Sequence, residues 1–207
     1  MLAVRKKLDD ALPFIRDADL LLFRRKPGSV IGKLIATSGR SDYTHAAMCV
    51  WWPSERVAGG GRPPLSESVL MCVEVREFYG GRAVTLASQV GENPGLIDVF
   101  AIAGCAAEGY KRADAARHML HFAGQPYGYG AIARAAAAYL PGVRFFYRTD
   151  DDDQQIDDSA VFCSEARVRA DRLGGGIDPV PNLADRETEP GDLARSDVFR
   201  YQFTLDP

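Results

Sequence analysis

The sequence lacks the features that identify several large protein classes. Its four cysteines lie far apart and include no C-x-x-C pair, so neither a disulfide framework nor a zinc ribbon is indicated. Lysine and arginine total 25 against 28 aspartate and glutamate residues, a net charge of −3 that gives no reason to expect a nucleic-acid surface. With 46% hydrophobic residues in 207, we expect one substantial core and one domain.

Long hydrophobic runs are also missing. The longest apolar-leaning stretch, residues 131–142, is too short to cross a bilayer and contains Arg134, so no transmembrane segment is expected. Charges at positions 5 to 10 occupy the place where a signal peptide needs an apolar segment. We therefore expect a cytoplasmic protein, with non-Sec export or phage-mediated release as alternatives. The oligomeric state is left open.

Apolar periodicity and turn residues predict helices near both ends of the chain and strands between them. The predicted strands are 17–25, 42–52, 69–78 with a hairpin partner at 80–84, 95–104, and 197–205. The predicted helices are 2–12, 27–39, 107–123, 130–140 and 160–173. This order favours an α+β domain on an antiparallel sheet, with an N-terminal helix (1–12), a core (about 17–173) and a C-terminal tail (174–207).

Cys163 lies where the apolar segment of "VFCSEARV" turns into the predicted helix 160–173. With Asp158 or Ser159 as the N-cap, its thiol would lie in about the first turn, where the helix dipole favours a thiolate. The alternative is a small buried apolar residue. A nucleophilic thiol also needs a base that protonates the leaving group, and a group that orients the base.

The sequence has three histidines from which that base can come. His118 and His121 share a helical face without a third ligand at metal-binding spacing, so we interpret both as ordinary surface or half-buried residues. His45 lies in a predicted strand, where the small Ala46 and Ala47 leave room for another group to approach. A purely structural histidine is the alternative at this position.

Glu74 is the candidate for the orienting group, because it is an acid inside an otherwise apolar strand. It shares a strand face with Leu70 and Cys72, so burying it without a partner would be costly. A hydrogen bond to an imidazole would offset that cost and fix the tautomer of the ring. The alternatives are an edge-strand glutamate that faces water and a pair with Arg76.

Four motifs in this order resemble the permuted NlpC-type papain-like cysteine hydrolases, the YiiX/YebB-like group. The motifs are "SDYTHAAM" (41–48), "CVEV" (72–75), "AGQPYGYG" (123–130) and "VFCSEARV" (161–168). The earlier "ADLLLFRR" resembles the opening Gly-Asp-Leu strand of the family, with Ala18 in place of the glycine. The resemblance covers residues 17 to 170, with a weaker echo at 189–199.

The resemblance implies a circularly permuted papain-like fold, in which a small antiparallel sheet or open barrel packs against the helix that carries the nucleophile. In this family the histidine strand precedes the cysteine helix, as His45 precedes Cys163. Carried over by motif, Cys163 is the nucleophile, His45 the general base and acid, and Glu74 the residue that orients the imidazole.

The resemblance also implies an oxyanion or substrate-binding role for Tyr127, with Tyr43 and Tyr129 as alternatives for the same work. The loops at 53–67 and 149–158 look like insertions beside the site, so the shape of the pocket is not inherited. The aspartates of the second loop lack the glycine and glutamate of an EF-hand and indicate a solvated acidic loop. We expect no metal and no cofactor.

The resemblance therefore predicts an enzyme, a thiol-dependent acyl hydrolase that forms an acyl-enzyme. The expected partner is a peptide or acyl substrate, and the first choice is an amide bond in peptidoglycan-type peptides. A lipid or acyl-ester hydrolase or acyltransferase of the same fold is the alternative. A catalytically inactive papain-like domain that binds a ligand is the non-enzymatic reading.

Overall fold

The computed structural model describes residues 4–26, 41–52, 68–104, 106–128 and 161–207. The strands are β1 Arg5–Lys7, β2 Leu20–Arg24, β3 Tyr43–Trp52, β4 Val69–Arg76, β5 Gly80–Thr85, β6 Ile97–Ile102 and β7 Phe199–Asp206. The α-helices are α1 Leu8–Ala11, α2 Leu86–Glu92, α3 Ala106–Gly109, α4 Arg112–His121, α5 Cys163–Arg169 and α6 Pro190–Arg195, and a π-helical turn, Ala170–Gly174, continues α5. Short 3₁₀ turns lie at Leu12–Phe14 and Asp185–Glu187. The predicted helices 27–39 and 130–140 and both predicted loops lie outside the described ranges.

The seven strands form one mixed sheet in the order β1-β7-β6-β2-β3-β4-β5. β1 pairs with β7 in parallel, and the other neighbouring strands pair antiparallel. The predicted α+β class is confirmed. The sheet is larger than the small antiparallel sheet expected, because both ends of the chain add strands to it.

Successive side chains of a strand point to opposite faces of the sheet, and the apolar side chains on the two faces form two separate buried clusters. The run "LLLFR" of β2 illustrates this, since Leu20 and Leu22 belong to one buried cluster while Leu21 and Phe23 belong to another. Residues of α4, α5 and α6 join the first cluster, and residues of α1 and α2 join the second. A strand covered on both faces needs an unbroken apolar sequence, which is what β2 has.

At the chain ends, one prediction is wrong and another is confirmed. The helix over 2–12 is limited to α1 and a 3₁₀ turn, because Arg5–Lys7 form β1 beside β7, and the Thr204 N–H donates to the Val4 carbonyl at 2.8 Å. The strand predicted over 197–205 in the C-terminal tail is confirmed as β7, which lies between β1 and β6. Backbone pairing between the two ends overrides the local helical pattern of the first residues.

The helix predicted over 107–123 is interrupted between α3 and α4. The Tyr110 hydroxyl donates to the buried Asp171 carboxylate, and the Lys111 N–H donates to the Gly175 carbonyl at 3.0 Å. Both contacts hold residues 110 and 111 against the π-helical turn in a non-helical conformation, and the next helix, α4, begins at Arg112. In the part of the chain that the structure describes, no helix has both the length and the apolarity to cross a membrane.

Candidate active site

Helix α5 begins at Cys163, which is later than an N-cap at Asp158 or Ser159 would require. Val161 forms a parallel bridge with Tyr127, and this pairing keeps residues 161 and 162 extended. The first turn is capped from within, because the Phe162 N–H donates to the Glu165 carboxylate at 3.4 Å. The predicted N-cap is therefore wrong, but the thiol still lies at the start of a helix.

The Cys163 side chain lies in a polar environment although the residue is only 6% exposed. The backbone N–H groups of Ala46 and Ser164 donate to its sulfur, and its thiol shares a hydrogen bond with His45. Burial acts to raise the pKa of Cys163, but the imidazole and the two N–H groups outweigh burial and lower the pKa below its ordinary value. The arrangement favours the thiolate.

His45 lies between Cys163 and Glu74. Its Nε2 is 2.6 Å from Oε2 of Glu74, which leaves Nδ1 as the ring nitrogen for the sulfur. Burial acts to lower the pKa of His45, but the charges of Glu74 and Cys163 and the hydrogen bonds to both raise it to about 9. The pair therefore favours an imidazolium facing a thiolate.

Strand pairing explains how β3 and β4 bring these side chains together. Glu74 lies directly opposite Ala47, and His45 is two residues earlier on the same face of β3. The ring of Phe23 on β2 packs edge-on against the imidazole, with 5.0 Å between centroids. The site thus lies at the end of the sheet where β3 begins and the β4–β5 hairpin turns.

Glu74 is fully buried and has more partners than the sequence suggested. Its Oε1 accepts from Nε of Arg82 at 2.8 Å and from Nη2 at 2.5 Å, and Arg76 approaches the same oxygen at 3.7 Å. Burial acts to raise the pKa of Glu74, but His45 and the two arginines lower it to about 2. Glu74 does not face water, and its carboxylate contacts both the imidazole of His45 and the arginines, so the predicted histidine contact and the alternative pair with Arg76 occur together.

Arg82 was not among the predicted site residues, although the sequence contains a signal for it. The hairpin register places Arg82 directly opposite Glu74, because Arg76 pairs with Gly80 across the turn. If residues are paired outward from the turn at 77–79, Arg82 falls opposite Glu74. A charged pair at directly opposed strand positions is a recognised stabilising arrangement.

The predicted tyrosines lie in different surroundings. Tyr127 packs against the small cluster formed by Phe162 and Cys163. The hydroxyl of Tyr43 donates to Asp98 at 2.6 Å, and Asp98 also forms an ion pair with Arg24 at 2.8 Å. Burial and Asp98 raise the pKa of Tyr43. Tyr43 therefore belongs to the hydrogen-bond network of Asp98 and Arg24. An oxyanion role for Tyr127 or Tyr43 stays a prediction. Tyr129 lies outside the described residues.

Cys49 and Cys72 differ from Cys163 in their chemistry. They lie opposite each other on β3 and β4, both fully buried, and burial raises the pKa of each thiol. Among the cysteines in the described ranges, a lowered pKa occurs at Cys163 alone. Of these three cysteines, the one with the electrostatic surroundings expected of a nucleophile is therefore the one that contacts a histidine.

A comparison with solved structures found a protein of the same fold. The crystal structure of the metalloprotein YiiX from Escherichia coli O157:H7, DUF1105, matches with a TM-score of 0.56 and 13% sequence identity, over 93% of this chain and 99% of that chain. The chain has the fold of YiiX. No family model matches the chain, and no curated protein matches it. At this identity the likeness to YiiX concerns the fold alone.

The name of YiiX calls that protein a metalloprotein, which prompts a check for metal ligands here. Within residues 4–26, 41–52, 68–104, 106–128 and 161–207, no group of three or more histidine, cysteine, aspartate or glutamate side chains is arranged to hold a metal ion. His45 is instead hydrogen-bonded to Glu74 on one side and to Cys163 on the other. The described residues therefore do not fit a metal centre.

Proposed function

We propose that this chain is a thiol-dependent acyl hydrolase with a circularly permuted papain-like arrangement. The observation that carries the proposal is the hydrogen-bonded series Cys163–His45–Glu74, with the sulfur at the first residue of a helix. A nucleophile, a base within reach of it and a group that orients the base make up the set that covalent acyl transfer requires. The chain order, histidine strand before cysteine helix, is that of the permuted family described above.

The proposed reaction begins with attack of the Cys163 thiolate on a carbonyl carbon. The His45 imidazolium then gives its proton to the leaving amine or alcohol, and a thioester acyl-enzyme remains. The neutral imidazole next takes a proton from water, whose oxygen attacks the thioester and releases the acid. Glu74 keeps the ring oriented and stabilises its positive form. If another nucleophile replaces water, the same steps give an acyl transfer.

Two groups at or near Cys163 are candidates to stabilise the developing oxyanion, the backbone N–H of Cys163 and the hydroxyl of Tyr127. The backbone N–H of Cys163 belongs to the first turn of α5, where N–H groups have no carbonyl partner within the helix. The Tyr127 ring packs against Phe162 and Cys163, which supports a place for its hydroxyl near the reacting carbonyl. Donors aimed at this charge are commonly worth a hundredfold or more in rate.

The substrate class follows from the sequence resemblance. An amide bond in peptidoglycan-type peptides is the first choice, and a lipid or acyl ester is the alternative of the same chemistry. A domain that only binds a ligand is the competing function class. The lowered pKa of Cys163 favours an enzyme, because a binding domain has no need of a buried thiolate.

Turnover by the purified protein on peptidoglycan fragments and on acyl esters tests the proposal, with products identified by mass spectrometry. Cys163→Ala is expected to lose roughly 10³-fold or more of the rate on any substrate found, because the nucleophile is gone. Cys49→Ala is the matched control, since it removes a buried thiol of raised pKa, and it should keep its activity below its unfolding temperature.

Full activity of Cys163→Ala would refute the thiol mechanism. Hydrolysis of acyl esters alone would refute the peptide substrate while leaving the mechanism in place. Binding of fragments with no turnover and no covalent adduct on Cys163 would favour the binding domain.

A further inference from the structure

The two oxygens of the Glu74 carboxylate have separate partners. Oε2 meets Nε2 of His45 at 2.6 Å, whereas Oε1 accepts two N–H groups of the Arg82 guanidinium at 2.8 Å and 2.5 Å. Arg76 is 3.7 Å from Oε1, and its Nη1 donates instead to Gln89 at 3.2 Å. Of these two neighbouring arginines, Arg82 is the one that holds the carboxylate.

Glu74 needs such an anchor for two physical reasons. A glutamate side chain has several rotatable bonds, and a single hydrogen bond to His45 would leave the plane of its carboxylate free to turn. The buried set of Glu74 and Cys163 anions with one His45 cation also carries a net negative charge. Arg82, in direct contact with Glu74, and Arg76, 3.7 Å from it, offset this charge, which matters because unbalanced buried charge is costly.

Arg82 is itself fixed by its surroundings on β5. The ring of Tyr79 lies 4.4 Å from the guanidinium carbon, and such cation–π contacts are favourable. The backbone of the preceding Gly81 is tied to the loop before Tyr127, since it donates to the Gln125 carbonyl and accepts from the Gly124 N–H, both at 2.8 Å. A side chain mounted on such a segment can position another accurately.

We infer that Arg82 is a positioning residue of the active site, which holds the Glu74 carboxylate in the orientation that aligns His45 with Cys163. This inference rests on the proposed function and extends the series to Arg82–Glu74–His45–Cys163. The charged and titratable groups that face Glu74 are His45 on β3, Arg76 and Cys72 on β4, and Arg82 on β5.

Alkylation by iodoacetamide as a function of pH tests the inference without any substrate. The reagent is uncharged, so removing an arginine does not alter its attraction to the site, and peptide mass mapping identifies the modified cysteine. In the wild type, Cys163 should react with a midpoint well below the value of about 8.5 for a free thiol. In Arg82→Met the midpoint should rise by about one pH unit or more, because a positive charge and an anchor are lost.

Arg76→Met is the matched control. It removes the same charge from a residue of similar exposure that also approaches Glu74, but it removes no hydrogen bond to Glu74. Its midpoint should move by clearly less than that of Arg82→Met. Equal shifts in the two variants would overturn the inference, because net charge alone would then account for the effect.

A second measurement reports on geometry and covers the case in which Arg82→Met does not fold. Arg82→Lys keeps the charge but cannot place two N–H groups in the same fixed plane. The downfield proton resonance of the His45–Glu74 hydrogen bond should move or broaden in Arg82→Lys and stay unchanged in Arg76→Met. An unchanged resonance in Arg82→Lys would refute positioning by Arg82.

The two proposals fail in different ways. A wild-type midpoint near that of an ordinary thiol would refute the proposed function itself. A low wild-type midpoint that Arg82→Met leaves in place would refute only the role of Arg82.

Discussion

At the scale of single residues, burial and charged partners shift the pKa values of the site residues in opposite directions. Cys163, His45 and Glu74 are each buried enough for desolvation to disfavour their charged forms, yet each pKa moves towards the charged form because the neighbouring partners outweigh desolvation. The charged state of each group therefore depends on the other two. Changing one of them should alter the titration of all three.

Glu74→Gln is expected to destabilise the protein in a manner that depends on pH. The pKa of His45 is raised to about 9, so its contribution to stability is complete below about 6.5 and is lost as the pH rises through 9. The pKa of Glu74 is lowered to about 2, so its contribution is complete above about 4.5 and is lost as the pH falls towards 2. The difference in unfolding free energy between wild type and variant should therefore be largest near pH 4.5 to 6.5.

Urea unfolding at pH 5.5, 7.5 and 9.5 measures this difference. We expect a loss on the order of 3 kcal/mol at pH 5.5, since breaking a buried pair leaves an uncompensated charge, and a smaller loss at pH 9.5. A difference that is constant over the three pH values would mean that the charge of the pair contributes nothing to stability.

At the scale of elements, the helix that begins at Cys163 is held against the sheet by a buried arginine. Arg167, fully buried one turn after Cys163, donates to the Ala18 carbonyl at 2.9 Å and to both oxygens of Asp171. The Ala18 carbonyl that receives it precedes β2. This contact fixes α5 relative to the sheet, and so the distance between the thiol and the histidine strand does not depend on the helix start alone.

A second element contact brings the Tyr127 segment to the site. A Cβ at Gly81 would lie 1.7 Å from the Phe122 carbonyl oxygen, so only glycine allows the loop of residues 122–125 to dock on β5. Gly81→Ala is therefore expected to displace this loop and break both of its hydrogen bonds to Gly81. Faster amide hydrogen exchange at Gly124, and a loss of about 2 kcal/mol or more in stability, should follow.

Gly91→Ala is the matched control, because a Cβ at this exposed position in α2 meets no atom within 4 Å. It should be neutral or stabilising by about 0.5–1 kcal/mol, since alanine is the better helix former. Equal effects of the two substitutions would show that docking on β5 does not restrict residue 81.

Strands with a clear apolar pattern were predictable, and long-range pairings were not. β3 and β4 were predictable from their apolar residues, among which His45 and Glu74 stood out as polar, and the small Ala46 and Ala47 beside His45 pointed to an approaching group. That His45 and Glu74 share one face depends on the register of the two strands. Position 18, where the proteins that the sequence resembles have glycine, also has a physical reason for that residue, because Ala18 adopts a φ of 61°, where glycine would be unstrained.

The parts that sequence analysis missed depend on partners distant in the chain. The sequence of residues 2–12 does not predict a parallel pairing with Phe199–Asp206. The strand β1 is short and polar, and its partner is nearly two hundred residues away in the chain. The start of α5 was misplaced for the same reason, since the bridge from Val161 to Tyr127 is not encoded locally. Local propensity is a weak prior where tertiary pairing satisfies the backbone.

At the scale of the whole molecule, the C-terminal strand joins the two ends of the chain into one sheet. β7 contributes Phe199, Phe203 and Leu205 to the buried cores, and Thr204 donates to Asp98, the carboxylate that also holds Tyr43 and Arg24. Without β7, the edge of β6 would be exposed and β1 would have no neighbour. The residues predicted to be a tail thus connect the N-terminal strand to the strands that carry the site.

Deletion of residues 199–207 should therefore abolish cooperative folding. Burial of each large apolar side chain of β7 is worth about 2 kcal/mol, so losing three of them removes an amount comparable to the whole stability of about 5–15 kcal/mol of a typical domain. Thermal unfolding followed by circular dichroism should show no sharp transition. Deletion of the exposed Pro207 alone should leave the midpoint unchanged. A truncated chain that still melts cooperatively within a few degrees of the wild type would show that β2 to β6 form an independent unit, with β7 as an addition to it.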